Sequence, residues 1–260
     1  MGPSKFDRQI WPAVVAHRGA SSTHPENTLP AFLAAAEAGA DFIELDVRMT
    51  ADGVPVVLHD IDLSRTTDGA GAVSRTSLSD LRRLDASRGV GERTPVPTFA
   101  EALEALSGRA GLDVEIKNLP EEQSFDSPRE EAVEATLALA VTQGFPGPLV
   151  ITSFNWLSIE RAKQIDPTVP TGFITSALID PWAALVYARN MGHDLVLPQA
   201  PALYEAGLAF VEAAHGDGIR VGAWTVDDPD AVERLFDMGV DAVATNDPAM
   251  AVPIRNRFRP

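Results

Sequence analysis

The sequence predicts a single (β/α)8 barrel, a TIM barrel of the α/β class, with a small insertion between its second and third strands. Three observations carry that expectation. Eight short runs rich in Val and Ile recur along 260 residues. Segments of helical periodicity separate most of them, and the chain length suits this architecture.

The strand candidates are 13–17, 42–46, 112–117, 149–153, 170–174, 194–198, 220–225 and 240–245. Helical patterns over 28–38, 129–143, 155–164, 202–216 and 229–238 supply the crossovers that parallel strands need, and Gly39, Gly144 and Gly239 stand where helices would stop. One apolar run breaks the alternation. Residues 54–58 follow the second strand after a gap containing Asp52 and Gly53, a strong hairpin signal, so an antiparallel hairpin should rise off the barrel's top. With Asp52 and Gly53 as the two turn residues, Asp46 lies opposite His59 and their side chains share a face. Residues 60–98 are long for a loop, with a short helical pattern near 77–84. An insertion emerging directly after His59 suits a lid or a substrate-shaping element. The chain is therefore read as one domain, 1–260, with the insertion at approximately 60–98.

With 45% hydrophobic residues the chain can bury a substantial core. It has no cysteine, which excludes disulfides, thiolate metal sites and a cysteine nucleophile, so any metal must be held by oxygen or imidazole. A formal net charge of −16 repels a phosphate backbone and argues against nucleic acid, but not against a small phosphorylated substrate. No stretch approaches the roughly 18 apolar residues of a membrane span, and the charged stretch 1–8 lacks the apolar segment of a leader. The expectation is a cytoplasmic protein without stable membrane insertion; its oligomeric state is left open.

In such a barrel, chemistry gathers where strands end in the chain direction. His17 and Arg18 end strand one, Glu44 and Asp46 end strand two, His59 ends the hairpin, and Glu115 and Lys117 end strand three. Glu44 and Asp46, two apart, share a face, and with Glu115 they form an acidic trio that would repel itself unless neutralised. A hard divalent cation, Mg²⁺ or Ca²⁺, would neutralise it. The alternative is a structural ion network with Arg18, Arg48 and Lys117. His17 and His59 form a natural proton-transfer pair, because imidazole titrates near neutrality. His24, His193 and His215 lack such company. Arg18 and Lys117 suit a phosphate or, equally, a salt bridge at the rim, and Trp224 suits an aromatic wall or plain packing.

The segments that carry these residues resemble the glycerophosphodiester phosphodiesterase family. They run AHRGASSTHPENTLPAF at 16–32, GADFIELDVRMTADGVPVVLHDIDLSRTTDGAG at 39–71 and VPTFAEAL at 96–103. LDVEIKN at 112–118, SFN at 153–155, AWTVDDP at 223–229 and GVDAVATNDP at 239–248 complete the set. The resemblance implies a metal-dependent barrel that hydrolyses glycerophosphodiesters to glycerol 3-phosphate and an alcohol. It implies metal ligation by Glu44, Asp46 and Glu115, acid–base roles for His17 and His59, and phosphate contacts from Arg18 and Lys117. It also raises a substrate role for Trp224. The stretch 165–200 carries little of it, so no headgroup is implied. Two other readings stay open: a phosphodiesterase of the same chemistry acting on lysophospholipids or phosphoinositides, and a non-catalytic barrel that binds a phosphorylated metabolite.

Overall fold

The structure, a computed structural model, describes residues 11–259. The stretch 1–8, on which the expectation of no leader rests, lies outside the described residues. In chain order come β1 (Ala13–Ala16), α1 (Leu29–Glu37), β2 (Phe42–Met49), β3 (Pro55–Val57), α2 (Leu78–Leu81), α3 (Phe99–Leu106) and β4 (Gly111–Ile116). Then follow α4 (Glu131–Gln143), β5 (Leu149–Ser153), α5 (Trp156–Ile165), β6 (Thr171–Thr175), α6 (Pro181–Met191) and β7 (Leu195–Pro198). The chain ends in α7 (Ala200–Gly216), β8 (Arg220–Ala223), α8 (Pro229–Asp237), β9 (Ala242–Thr245) and α9 (Pro248–Asn256).

The sheet runs β1-β9-β8-β7-β6-β5-β4-β2-β3, and β1 also pairs with β2. Every pairing except β2–β3 is parallel, so the strands other than β3 close into the expected eight-stranded barrel. Helix starts follow local chemistry. Thr98 and Glu101 form a capping box that opens α3, and Asp228 and Asp247 accept backbone N–H bonds at the starts of α8 and α9. Helices α3, α6 and α9 were not singled out by periodicity. The span expected at 202–216 is interrupted at Gly207, whose φ of 72° breaks α7 into two pieces.

The barrel floor is sealed by Ala13, Val15, Phe42, Val150, Leu195 and Ala242, with Trp11 stacked on Phe42 at 6.0 Å. The cavity described below lies toward the other end, where His17, His59 and Lys117 follow the C-terminal ends of their strands. Between β3 and α3, Leu63, Val73, Leu81, Ala86 and Val96 pack with Val56 and Leu58 into a small separate core. That packing anchors the segment beside β2 rather than leaving it loose.

The hairpin register corrects the expectation. Val47 pairs with Val57, Arg48 with Val56 and Met49 with Pro55. Asp46 therefore faces Leu58, whose N–H donates to the Asp46 carbonyl at 2.9 Å, and not His59. The turn has three residues, closed by Thr50 N–H to Val54 O at 3.0 Å, with Gly53 at φ 74°. A three-residue turn ending in a left-handed residue is a common hairpin solution, and glycine adopts that conformation without Cβ strain. Thr50 Oγ1 stabilises it by donating to Asp52 at 2.7 Å. His59 still reaches the cavity because the chain has left the ladder beyond Val57, so pleat alternation no longer sets its direction.

Candidate active site

A cavity of about 240 Å³ opens at the top of the barrel, and His17, Arg18, Glu44, His59, Glu115, Lys117 and Trp224 line it. Asp46 lies fully buried beneath, so the structure brings all eight singled-out residues to one place. The parallel register of β2 and β4 explains why. Asp46 is level with Glu115, and Glu44 with Asp113, so their side chains share the barrel's inner face.

One carboxylate oxygen from each of Glu44, Asp46 and Glu115 lies within 4.8 Å of the others. The three side chains are 5%, 0% and 6% exposed, which denies them screening by water. Burial and then repulsion from Asp46 and Glu115 push the Glu44 carboxyl well above the ordinary range. Burial, opposed by Lys117 and reinforced by Asp46, lifts Glu115 to about 7. At Asp46 burial is outweighed by Lys117 and Arg18, which hold it below the ordinary range. Glu44 Oε1 is buried and accepts no hydrogen bond, and Asp46 Oδ1, equally buried, has only the ion pair with Lys117 Nζ at 3.1 Å. Unused lone pairs on a self-repelling buried trio suit a hard divalent cation, so the residues present fit such an ion.

The flanking cations are only partly free for other work. Lys117 Nζ donates to Glu115 and lies 3.1 Å from Asp46. Arg18 donates its backbone N–H to Glu44 at 2.8 Å, places Nε 3.3 Å from Asp46 and donates Nη1 to Glu26 at 2.8 Å. Two cations cannot neutralise the trio once all three carboxyls are ionised. Arg48 does not join them. It forms a bidentate pair with Glu122 at 2.7 and 2.8 Å and donates Nε to the His59 carbonyl at 2.7 Å. Gly19, with φ 84°, lets the loop after β1 press against α1, since a Cβ there would lie 2.7 Å from the Ala31 carbonyl carbon.

The two imidazoles are held differently. Asn246 donates Nδ2 to Asp227 at 2.6 Å, which turns its Oδ1 toward His17 Nδ1 at 2.8 Å. An amide oxygen accepts, so His17 Nδ1 carries the proton and Nε2 keeps its lone pair. At His59, Nδ1 meets a carboxylate instead, Asp60 at 2.6 Å, and Arg65 donates to that same carboxylate. Burial, then the charge of Arg18, pushes His17 below its ordinary pKa. Burial also lowers His59, against the opposing pull of Asp46 and Asp60.

Asn246, Asp60, Asn27 and Phe154 were not singled out in advance. Asn27 donates to Asp46 Oδ2 at 2.7 Å, and Phe154 meets Trp224 edge-on with centroids 5.3 Å apart. Trp224 also donates Nε1 to the Leu197 carbonyl at 2.8 Å. Asn27, Phe154 and Asn246 lie inside the family-like segments, and Asp60 directly follows His59. Polar partners of this kind carry no periodicity that would mark them in sequence. His193 is buried with its Nδ1 2.9 Å from Thr171 Oγ1, and His215 pairs with Asp241 at 2.7 Å, both away from the cavity.

Two imidazoles facing a buried carboxylate trio at the open end of a parallel barrel define a class, a barrel hydrolase with acid–base groups and a place for a divalent cation. The glycerophosphoryl diester phosphodiesterase family matches residues 17–250. A glycerophosphodiester phosphodiesterase of Caldanaerobacter subterraneus is 35% identical over 242 residues, covering 90% of this chain and 94% of its own. Another, from Bacillus subtilis, is 33% identical over 94% of this chain and 86% of its own. Among solved structures, an Oleispira antarctica phosphodiesterase in complex with the product sn-glycerol-3-phosphate superposes with TM-score 0.84 at 31% identity, covering 95% of this chain and 98% of that one. The chain belongs to the glycerophosphoryl diester phosphodiesterase family and is a phosphoric diester hydrolase. Among the described residues, no helix is long and apolar enough to cross a membrane.

Proposed function

We propose that this enzyme hydrolyses glycerophosphodiesters to glycerol 3-phosphate and an alcohol, with His17 as general base and His59 as general acid. The observation that carries the assignment is the contrast between the two Nδ1 partners, Asn246 for His17 and Asp60 for His59. A neutral amide partner keeps His17 an acceptor at Nε2, the form a base requires. A carboxylate partner favours the imidazolium, the form an acid requires. Each role is typically worth about 10² to 10⁴ in rate.

Glu44, Asp46 and Glu115 would hold the metal, with Mg²⁺ or Ca²⁺ suited to an all-oxygen set. A divalent cation bound there supplies positive charge against the phosphate oxygens. Arg18 and Lys117 add cationic donors to the same group, and Trp224 with Phe154 gives the glycerol carbons an apolar wall. The segment 60–98 shapes the site within one domain spanning 1–260. The protein acts in the cytoplasm on a small molecule, and its charge of −16 disfavours nucleic acid.

Release of glycerol 3-phosphate from glycerophosphocholine or glycerophosphoethanolamine, with and without chelator, tests the reaction. Turnover lost on chelation and restored by Mg²⁺ or Ca²⁺ is expected; no metal-restorable release from either substrate would sink the reading. His17→Ala and His59→Ala at unchanged melting temperature should each lose at least about a hundredfold in kcat. Near-normal turnover in both would overturn the acid–base assignment alone.

A further inference from the structure

One ionisable group in the cavity has no part in the acid–base and metal roles. Asp113 is the only residue of β4 that is not buried, and it lines the cavity. Its register explains where it points. Two residues before Glu115 on the same strand, it shares the barrel's inner face and lies level with Glu44 on β2. Two residues further down stands Gly111, where a Cβ would lie 2.6 Å from the Phe42 ring, so Phe42 covers the floor directly beneath. Asp113 is thus the lowest side chain of β4 above that floor.

The surrounding protein gives this carboxyl half of what it needs. Thr152 is buried, and its Oγ1 donates to Asp113 Oδ1 at 2.6 Å, which fixes one oxygen and with it the direction of the other. No donor among the described residues reaches Oδ2. The nearby lining offers none, because Val15, Leu197, Ala242 and Ala244 are apolar and pack with the floor. A carboxyl in such surroundings loses hydration without full compensation, a cost that an apolar residue would not carry. The missing donor is one that the occupant of the cavity can bring.

We propose that Asp113 is a specificity-determining residue that accepts a hydrogen bond from the terminal hydroxyl of the substrate's glycerol, so that the site selects diesters in which this hydroxyl is free. The proposal rests on the phosphodiesterase reading above. On that reading the phosphate lies near Arg18, Lys117 and the carboxylates, at the level of Asp46 and Glu115. Asp113 is two strand residues below that level, about 7 Å at the usual rise per residue. A three-carbon glycerol with its terminal oxygen bridges such a distance. The glycerol, common to these diesters, then fills the end closed by Phe42, and the variable headgroup is left toward the opening. Phe154 and Trp224 flank the carbons, and Asp113 reads the oxygen beyond them. An analogue without that oxygen leaves a buried acceptor unpaired, which is why hydroxyl recognition discriminates strongly.

The experiment compares glycerophosphocholine with the phosphocholine diester of propane-1,2-diol joined through its primary oxygen. That analogue keeps the neighbouring secondary hydroxyl and lacks only the terminal one. Wild type, Asp113→Ala and Asp113→Asn are assayed with saturating Mg²⁺ or Ca²⁺. A hydrogen bond to a charged acceptor is worth about ten- to a hundredfold, so wild type should favour glycerophosphocholine by that factor in kcat/KM, and Asp113→Ala should bring the ratio to within about threefold of one. Asp113→Asn, close in shape and without the charge, should fall between. Equal kcat/KM for the two diesters in wild type overturns the proposal, whether or not either variant folds. A wild-type preference that survives in the folded variants overturns it as well. So does a loss by the same factor on both diesters, which assigns Asp113 to the support of the carboxylate trio instead. No turnover of glycerophosphocholine by wild type strikes the underlying phosphodiesterase reading.

Discussion

Stripping the cation from the carboxylate trio should destabilise the barrel, and by more at pH 8 than at pH 5. In the metal-free protein Glu115 has its pKa raised from 4.5 to about 7. A carboxyl raised on folding contributes stability that is full below its unfolded pKa and is lost as pH rises through the folded value. At about 1.4 kcal/mol per unit, Glu115 alone removes about 3 kcal/mol by pH 8, most of it between pH 5 and 8. Glu44, raised in the same direction, adds to the loss. A bound cation keeps the trio ionised and removes this penalty, so metal uptake near neutrality releases protons. For a chain of this size about 1 kcal/mol moves Tm by roughly 2–4 °C, so the gap between metal-loaded and chelated protein should widen by about 5–10 °C from pH 5 to pH 8. Paired thermal melts across that range measure it, and the other titrating groups cancel because both forms share them. Glu44→Gln sharpens the test. It mimics the protonated carboxyl, so at pH 8 in chelator it should melt above wild type while its activity is lost. A gap that stays flat or narrows with rising pH, together with a lower melting temperature for Glu44→Gln, would refute the argument from mutual repulsion.

Three other outcomes are expected. Asp60→Asn removes the carboxylate that favours imidazolium at His59, so the alkaline limb of the kcat profile should move to lower pH; a profile that moves upward contradicts the role of Asp60. Glu122→Ala leaves Arg48, 6% exposed, without its anion and loosens its hold on the His59 carbonyl. Breaking a buried pair from one side costs about 3–5 kcal/mol, and here it should also lower kcat more than it raises KM. Unchanged kcat in the folded variant would leave that pair a purely structural one. Burial lowers His193 to about 4, so the metal-loaded enzyme should lose up to about 3 kcal/mol as pH falls from 6.5 to 4, where only the unfolded chain takes up that proton. Chemical denaturation of His193→Gln over that window should give a visibly shallower slope; an identical slope rules His193 out as the cause.

Much of this was legible before any coordinates. The barrel followed from Val- and Ile-rich runs alternating with helical periodicity, because parallel strands buried on both faces must be apolar throughout. Glu44 and Asp46 on one strand, and Glu115 and Lys117 on another, declared their shared faces through the period-two pleat. The same pleat misled at the hairpin. Asp52 and Gly53 signal a turn, but the sequence pattern does not distinguish a two-residue turn from the three-residue one that Thr50 and Gly53 form. His59 reached the cavity for a reason outside that argument, the departure of the chain from the ladder after Val57.

The sequence by itself determined the barrel, the side of it that opens, and the residue types that meet there, since those depend on local periodicity and on which residues end strands. Only the tertiary structure decided which imidazole meets an amide and which a carboxylate. Asn246 reaches His17 across 229 positions of chain, and no local pattern encodes a contact made by closing the barrel. The same closure decided that Arg48 serves Glu122 rather than the acids, and that the trio has an unused buried oxygen.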